Sequence, residues 1–124
     1  MNGERKNLRN LANLTPRIRV EVYVPIRYAS AYHDSLRWLI KEFTELRGGC
    51  TVNENVGGYY LSRAGEVKDD RVNIVYSDFS LNWNKATDRA EVLRYCVHLK
   101  QFLLDWLVEE EVLISVYPVS HVAS

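Results

Sequence analysis

Ile18, Val20, Val22, Val24 and Ile26 alternate without a break with Arg19, Glu21, Tyr23 and Pro25. A period of two sustained this long marks a strand with one face buried and the other free. The free face reads Arg17, Arg19, Glu21, Tyr23, Pro25, Arg27. Everything after it must supply a sheet for this strand to join and an apolar layer to cover it.

The rest of the chain meets that demand. Ser30 is placed to cap a helix running to Leu46, with Leu36, Leu39, Ile40, Phe43 and Leu46 as its core stripe and Gly48-Gly49 as its stop. Trp38 falls off the stripe and is expected to be partly exposed or committed to another contact. Strands follow over residues 50–61 and 67–79, joined by Ser62-Arg63-Ala64-Gly65, a hairpin connection whose glycine can take positive φ. Gly57-Gly58 suggests a bulge or close backbone approach. In the third strand Val72, Ile74 and Tyr76 form the expected inner face. A second helix spans about residues 88–108, opened by Asp88 and Glu91 at capping-box spacing. Leu93, Cys96, Val97, Leu103, Leu104 and Leu107 make one stripe, and Val92, Leu99, Phe102 and Trp106 a second, more apolar surface than one core contact requires. Residues 112–119 close the order as a strand.

Strand–helix–strand–strand–helix–strand predicts an α+β sandwich of ferredoxin-like βαββαβ type. Its antiparallel four-stranded sheet has the first and third strands central and both helices on one face. Residues 17–120 form this single domain. Residues 1–16, Asn- and Arg-rich and ending in Thr15-Pro16, read as a flexible extension, and residues 121–124 as a tail. The pattern Gly48-Gly49-Cys50-Thr51, Gly57-Gly58-Tyr59-Tyr60, then Gly65 and Asp70, resembles a group of uncharacterised bacterial ferredoxin-like proteins. That resemblance spans about residues 18–119 and implies the fold, with no activity attached.

Charge and cysteine usage narrow the function. Net charge is zero, which argues against a protein whose main task is gripping nucleic acid. The charges are nonetheless uneven. The first nineteen residues hold Arg5, Lys6, Arg9, Arg17 and Arg19 against Glu4 alone, while acidic groups gather at Asp105 and Glu109-Glu110-Glu111. Cys50 and Cys96 have no metal-ligand spacing and read as free thiols, apolar runs are far shorter than a membrane span, and no signal-peptide pattern opens the chain. A cytosolic protein is expected.

No catalytic constellation stands out. His33 and Asp34 open the first helix, His98 has no His or carboxylate at helical metal spacing, and His121 is near the end of the chain. Glu66, Asp69 and Asp70 lack the intervening ligands of a calcium loop. No metal or cofactor is implied. The candidate ligand site is a pocket of Tyr76, Asp78, Asn82 and Trp83 at the end of the third strand, shared with Tyr28 and Tyr32 beyond the first. The candidate interfaces are two. One is the open sheet face with Tyr23, Val75, Leu113 and Tyr117, ringed by Arg19, Arg27, Arg71 and Asn73; the other is the helix surface of Val92, Leu99, Phe102 and Trp106. The expectation is a binding or assembly module, homodimeric, rather than an enzyme. A small-molecule-binding protein or enzyme of dimeric α/β-barrel type is one alternative. Nucleic-acid binding through the basic N-terminal segment is another, although residues 72–79 lack the RNA-recognition signature.

Overall fold

The computed structural model describes residues 13–109 and 111–122. Its elements are β1 (Leu14–Pro25), α1 (Ser30–Arg47), β2 (Thr51–Leu61), β3 (Val67–Phe79), α2 (Ala86–Trp106) and β4 (Ile114–Val122). The four strands form one antiparallel sheet in the order β2-β3-β1-β4, so β1 and β3 are central. The chain therefore has an α+β fold in the expected order of elements.

The alternation in β1 produces the core. Ile18, Val20, Val22 and Val24 are buried and join Val75 and Phe79 of β3, Tyr32, Leu39 and Phe43 of α1, and Val92, Leu99 and Leu103 of α2 in a single apolar cluster. Phe79 anchors it, edge-on to Phe43 (5.9 Å) and to Tyr95 (5.4 Å). Such pairs add roughly 1 kcal/mol each beyond the area they bury.

Several boundaries and faces differ from the sequence expectation. β1 opens at Leu14, so Leu14, Thr15 and Pro16 belong to the sheet rather than to an extension; they pair with Val122, His121 and Ser120. The same ladder takes in His121 and Val122 from the expected tail. Residues 1–12, including Arg5, Lys6 and Arg9, lie outside the described residues. Ile26 falls past the end of β1 and is exposed, because the chain leaves the ladder after Pro25.

The cap of α1 is Ala29, with Ser30 already helical and no side-chain cap bond. Its buried stripe is Tyr32, Ser35, Leu39 and Phe43, rotated from the expected one, which leaves Leu46 exposed. The stop is as expected: Gly48 takes φ 88° and donates its N–H to the Thr44 carbonyl. In α2 the cap position is Lys85, and Asp88 accepts the Asn82 N–H at 2.9 Å instead of closing a capping box. The buried stripe there is Val92, Cys96, Leu99 and Leu103, drawn from both expected stripes.

Two differences concern the sheet directly. Gly57 and Gly58 pair regularly with Arg71 and Asp70, and the irregularity falls between Asn53 and Val56, where Asn55 has φ 55°. Asn is among the few side chains that enter that region, since its short amide bonds locally. Here Arg71 Nε donates to Asn55 Oδ1 (2.8 Å), and the Asn55 N–H donates to Asn73 Oδ1 (3.0 Å). In β3 the inner face is Val75, Ser77 and Phe79, not Val72, Ile74 and Tyr76. The register decides it: Val22 lies opposite Val75 and Ile18 opposite Phe79.

Candidate functional site on the outer sheet face

Register pairs share a face, so the side of the sheet away from the β1 core residues can be assembled strand by strand. β1 contributes Arg19, Glu21, Tyr23 and Pro25; opposite them β3 places Asp78, Tyr76, Ile74 and Val72. β4 adds Tyr117 beside Arg19 and Ser115 beside Glu21, and β2 adds Thr51 beside Tyr76 and Val56 beside Val72. This face divides into a polar half and an apolar half.

In the polar half Arg19 donates through Nε and Nη2 to both oxygens of Asp78 at 2.7 and 3.0 Å. Its guanidinium lies over the Tyr76 ring, 4.3 Å from the centroid. His121 Nε2 lies 2.7 Å from Asp78 Oδ2. Arg19 holds the Asp78 carboxyl below the usual carboxylate range, against the opposing effect of burial, and His121 adds to the lowering. The Tyr117 and Tyr23 hydroxyls both donate to Glu21, and its bond to Glu21 raises the Tyr117 phenol. Arg19 and Asp78 thus pair with each other, while Glu21 is held by two tyrosine hydroxyls.

The apolar half is a depression of about 670 Å³. Tyr23, Pro25, Val72 and Ile74 form its floor, with Val56 and Tyr59 on the β2 side and Leu113 on the β4 side. Arg27 closes one end. It is bonded to Asp70 at 2.8 Å and paired with Glu109 at 3.2 Å, and it holds the Asp70 carboxyl below its ordinary range. The β2–β3 hairpin runs on past the end of β1, since the β1–β3 ladder stops at Val72 while β2 and β3 pair out to Leu61 and Val67. The two-stranded arm so formed leaves Tyr59, Tyr60, Leu61 and Val67 exposed.

The six expected ligand-site residues are not brought together. Tyr76 and Asp78 share the outer face and meet Arg19. Asn82 and Trp83 serve the turn into α2, where Asn82 Oδ1 accepts the Asn84 N–H and the Trp83 carbonyl accepts Arg89 Nη1. Tyr28 is fully exposed, and Tyr32 is buried with its hydroxyl 3.1 Å from the Val108 carbonyl and 2.9 Å from Glu109. The physical reason is the antiparallel ladder. Pro25 lies beside Val72 and Ile18 beside Phe79, so the chain after β1 and the chain after β3 leave from ends of the sheet roughly 23 Å apart.

The expected interface sets also divide. Tyr23, Leu113 and Tyr117 do lie at the outer face or its border, whereas Val75, Val92 and Leu99 are buried in the core and offer nothing to a partner. Asn73 has the parity of the core face, and Arg71 is engaged with Asn55. Phe102 and Trp106 pack with Trp38, at centroid distances of 4.6 Å (Trp38–Phe102), 6.2 Å (Trp38–Trp106) and 5.6 Å (Phe102–Trp106), and Phe102 remains exposed. Sequence reading missed Val56, Val72 and Ile74 as site residues. The available signal was Phe79, which shares the parity of Val75 and marks the inner face.

Among the described residues no cluster of three or more His, Cys, Asp or Glu is placed to hold a metal. Glu66 pairs with Lys68 and Asp70 with Arg27. Both cysteines are free, and no described helix is long and apolar enough to cross a membrane. Comparison with models of known protein families, with curated proteins and with solved structures finds no match. The resemblance drawn from the Gly-Gly-x-Thr pattern rests on those residues alone.

Proposed function

We propose that this chain is a homodimeric assembly and binding module: a ferredoxin-like sandwich with both helices on one face, whose outer sheet face docks against the same face of a second copy. The observation that carries the reading is the apolar depression of about 670 Å³ floored by Tyr23, Val72 and Ile74. Apolar surface gathered in one place on a sheet is costly to leave in water and is relieved by a partner.

Three further observations favour a second copy as that partner. Pairing through sheet edges is obstructed on both sides, by the bulge at Asn55 in β2 and by Pro118 in the middle of β4, both recognised guards against edge association. Arg27, Asp70 and Glu109, which flank the depression, are already paired within the chain, so docking over it leaves these charges with their partners. Four strands about 4.8 Å apart and about eight residues long present roughly 500 Å² of sheet. A stable interface needs about 800 Å² per partner, and the exposed arm of Tyr59, Tyr60, Leu61 and Val67 extends the surface toward that figure.

The second reading is a small, mainly apolar ligand, since the depression falls in the volume range of small-molecule sites. Nucleic-acid binding has less support: Arg19 is committed to Asp78, and Arg17 Nη1 donates to the Pro16 carbonyl. Free thiols at Cys50 and Cys96 suit a reducing compartment such as the cytosol.

Light scattering across a concentration series tests the proposal. The expected mass is that of a dimer, falling to the monomer in Ile74→Asp with the far-ultraviolet spectrum unchanged. A monomer at every concentration overturns the dimer. A mass unaltered by Ile74→Asp removes this face from it.

A further inference from the structure

Where α1 gives way to β2, a cavity of about 240 Å³ opens between residues 48–51 and the end of β3. It has room for roughly eight waters. Arg47 lines it together with Thr51, Tyr76, Ser77 and Asp78. Arg47 differs from Arg19 and Arg27 in its surroundings. Arg19 and Arg27 each grip a carboxylate, whereas Arg47 has none within ion-pair distance among the described residues. Its guanidinium instead stacks on two aromatic rings, 4.0 Å from the centroid of Phe79 and 5.0 Å from that of Tyr95. Arg47 Nε is also the one buried side-chain nitrogen or oxygen among the described residues with no hydrogen-bond partner.

Such orphans are rare enough in folded proteins to need a reason. The negative pole of α1 favours a cation in this last turn, but a lysine would satisfy the pole equally well. The pole does not call for a planar cation held by two rings and bonded to no internal acceptor. Stacking fixes the guanidinium plane, and its terminal Nη groups make no internal hydrogen bond among the described residues, so they can serve as a planar, two-pronged receptor for an oxyanion. The negative pole of α1 opposes such a charge, so the attraction has to come from Arg47. Asp78 is paired with Arg19, Ser77 Oγ donates to the Gly49 carbonyl at 2.6 Å, and the exposed Thr51 remains at the rim.

We infer that the corner between α1 and β2 is a binding site for a small oxyanion, a phosphate or carboxylate group, with Arg47 as its charged receptor. The site is separate from the apolar depression, and Thr51, Tyr76 and Asp78 at its border belong to the outer sheet face.

The test is a titration of the isotope-labelled full chain followed by amide resonances, with inorganic phosphate in one arm and acetate in the other, ionic strength held constant with chloride. Saturable shifts in the millimolar range or below are expected at Gly48, Gly49 and Thr51, and the arm that saturates first identifies phosphate or carboxylate as the preferred group. Arg47→Lys keeps the charge but loses the fork and is expected to bind about tenfold more weakly. Arg47→Gln is expected to abolish binding. The absence of a saturable response to either anion overturns the inference, as does an unchanged response in Arg47→Gln. Should Arg47→Gln not fold, an Arg47→Lys affinity equal to that of the parent chain overturns it.

Discussion

Arg19 and Asp78 stand directly opposite each other in the β1–β3 ladder and meet through two parallel bonds, Nε to Oδ1 and Nη2 to Oδ2. Tyr76 lies under the guanidinium, and His121 reaches the same carboxylate from β4. One side chain on β3 thus ties together three strands at the end of the sheet where β1 begins. The arrangement also pairs the Arg19 and Asp78 charges of the outer face with each other.

Asp78→Asn removes the acceptor from both partners and is expected to destabilise the protein by about 1–2 kcal/mol at neutral pH. The sign of the pH dependence follows from the depressed carboxyl. The folded state binds this proton less readily than the unfolded chain, so the contribution is present above the unfolded Asp value. It fades as pH falls through the folded one. Urea unfolding at pH 7 and in acid is expected to show a gap between parent and variant that closes below the usual carboxylate range.

Trp106→Ala separates the two candidate surfaces. Trp106 packs against Trp38 and Phe102 on the helices, so its loss is expected to lower thermal stability by a few kcal/mol while leaving the solution mass unchanged. A fall in mass would transfer the interface from the sheet to the helices.

Gly48→Ala isolates the cost of backbone conformation. A Cβ at Gly48 meets nothing within 4 Å, yet the residue holds φ +88°. A destabilisation of about 1 kcal/mol is expected, read as a melting point lower by about 4 °C.

The two thiols are expected to react in order. Burial pushes the Cys96 thiol up to about 11, so little thiolate exists at pH 8 and little of it is reachable. Cys50 is only partly buried, at the mouth of β2. Limited alkylation of the native protein with iodoacetamide is expected to label Cys50 first, as peptide mass analysis would show. Equal labelling would mean that the α2 side of the core opens readily.

Much of the fold was legible because its signals are local. Alternation in β1, the glycine stop after Arg47 and the short hairpin connection each arise from a few neighbouring side chains. The face of β3 was not. Val72, Ile74 and Tyr76 are as apolar as Val75, Ser77 and Phe79, and a strand with two plausible faces has no inner side until it is paired. The stripes of α2 were ambiguous for the same reason, with Leu93 and Val97 exposed and Val92 and Leu99 buried.

The sequence by itself determined the kinds of element, their order and the buried side of β1, because periodicity, caps and turns are short-range properties of the chain. Only the tertiary structure decided which half of the outer face is apolar, that Tyr28 and Tyr32 stand far from Trp83, and that Arg47 faces a cavity without making an ion pair among the described residues. Those facts depend on register across strands far apart in sequence. A shift of one residue in the pairing of Val22 with Val75 would turn every side chain of β3 to the other side.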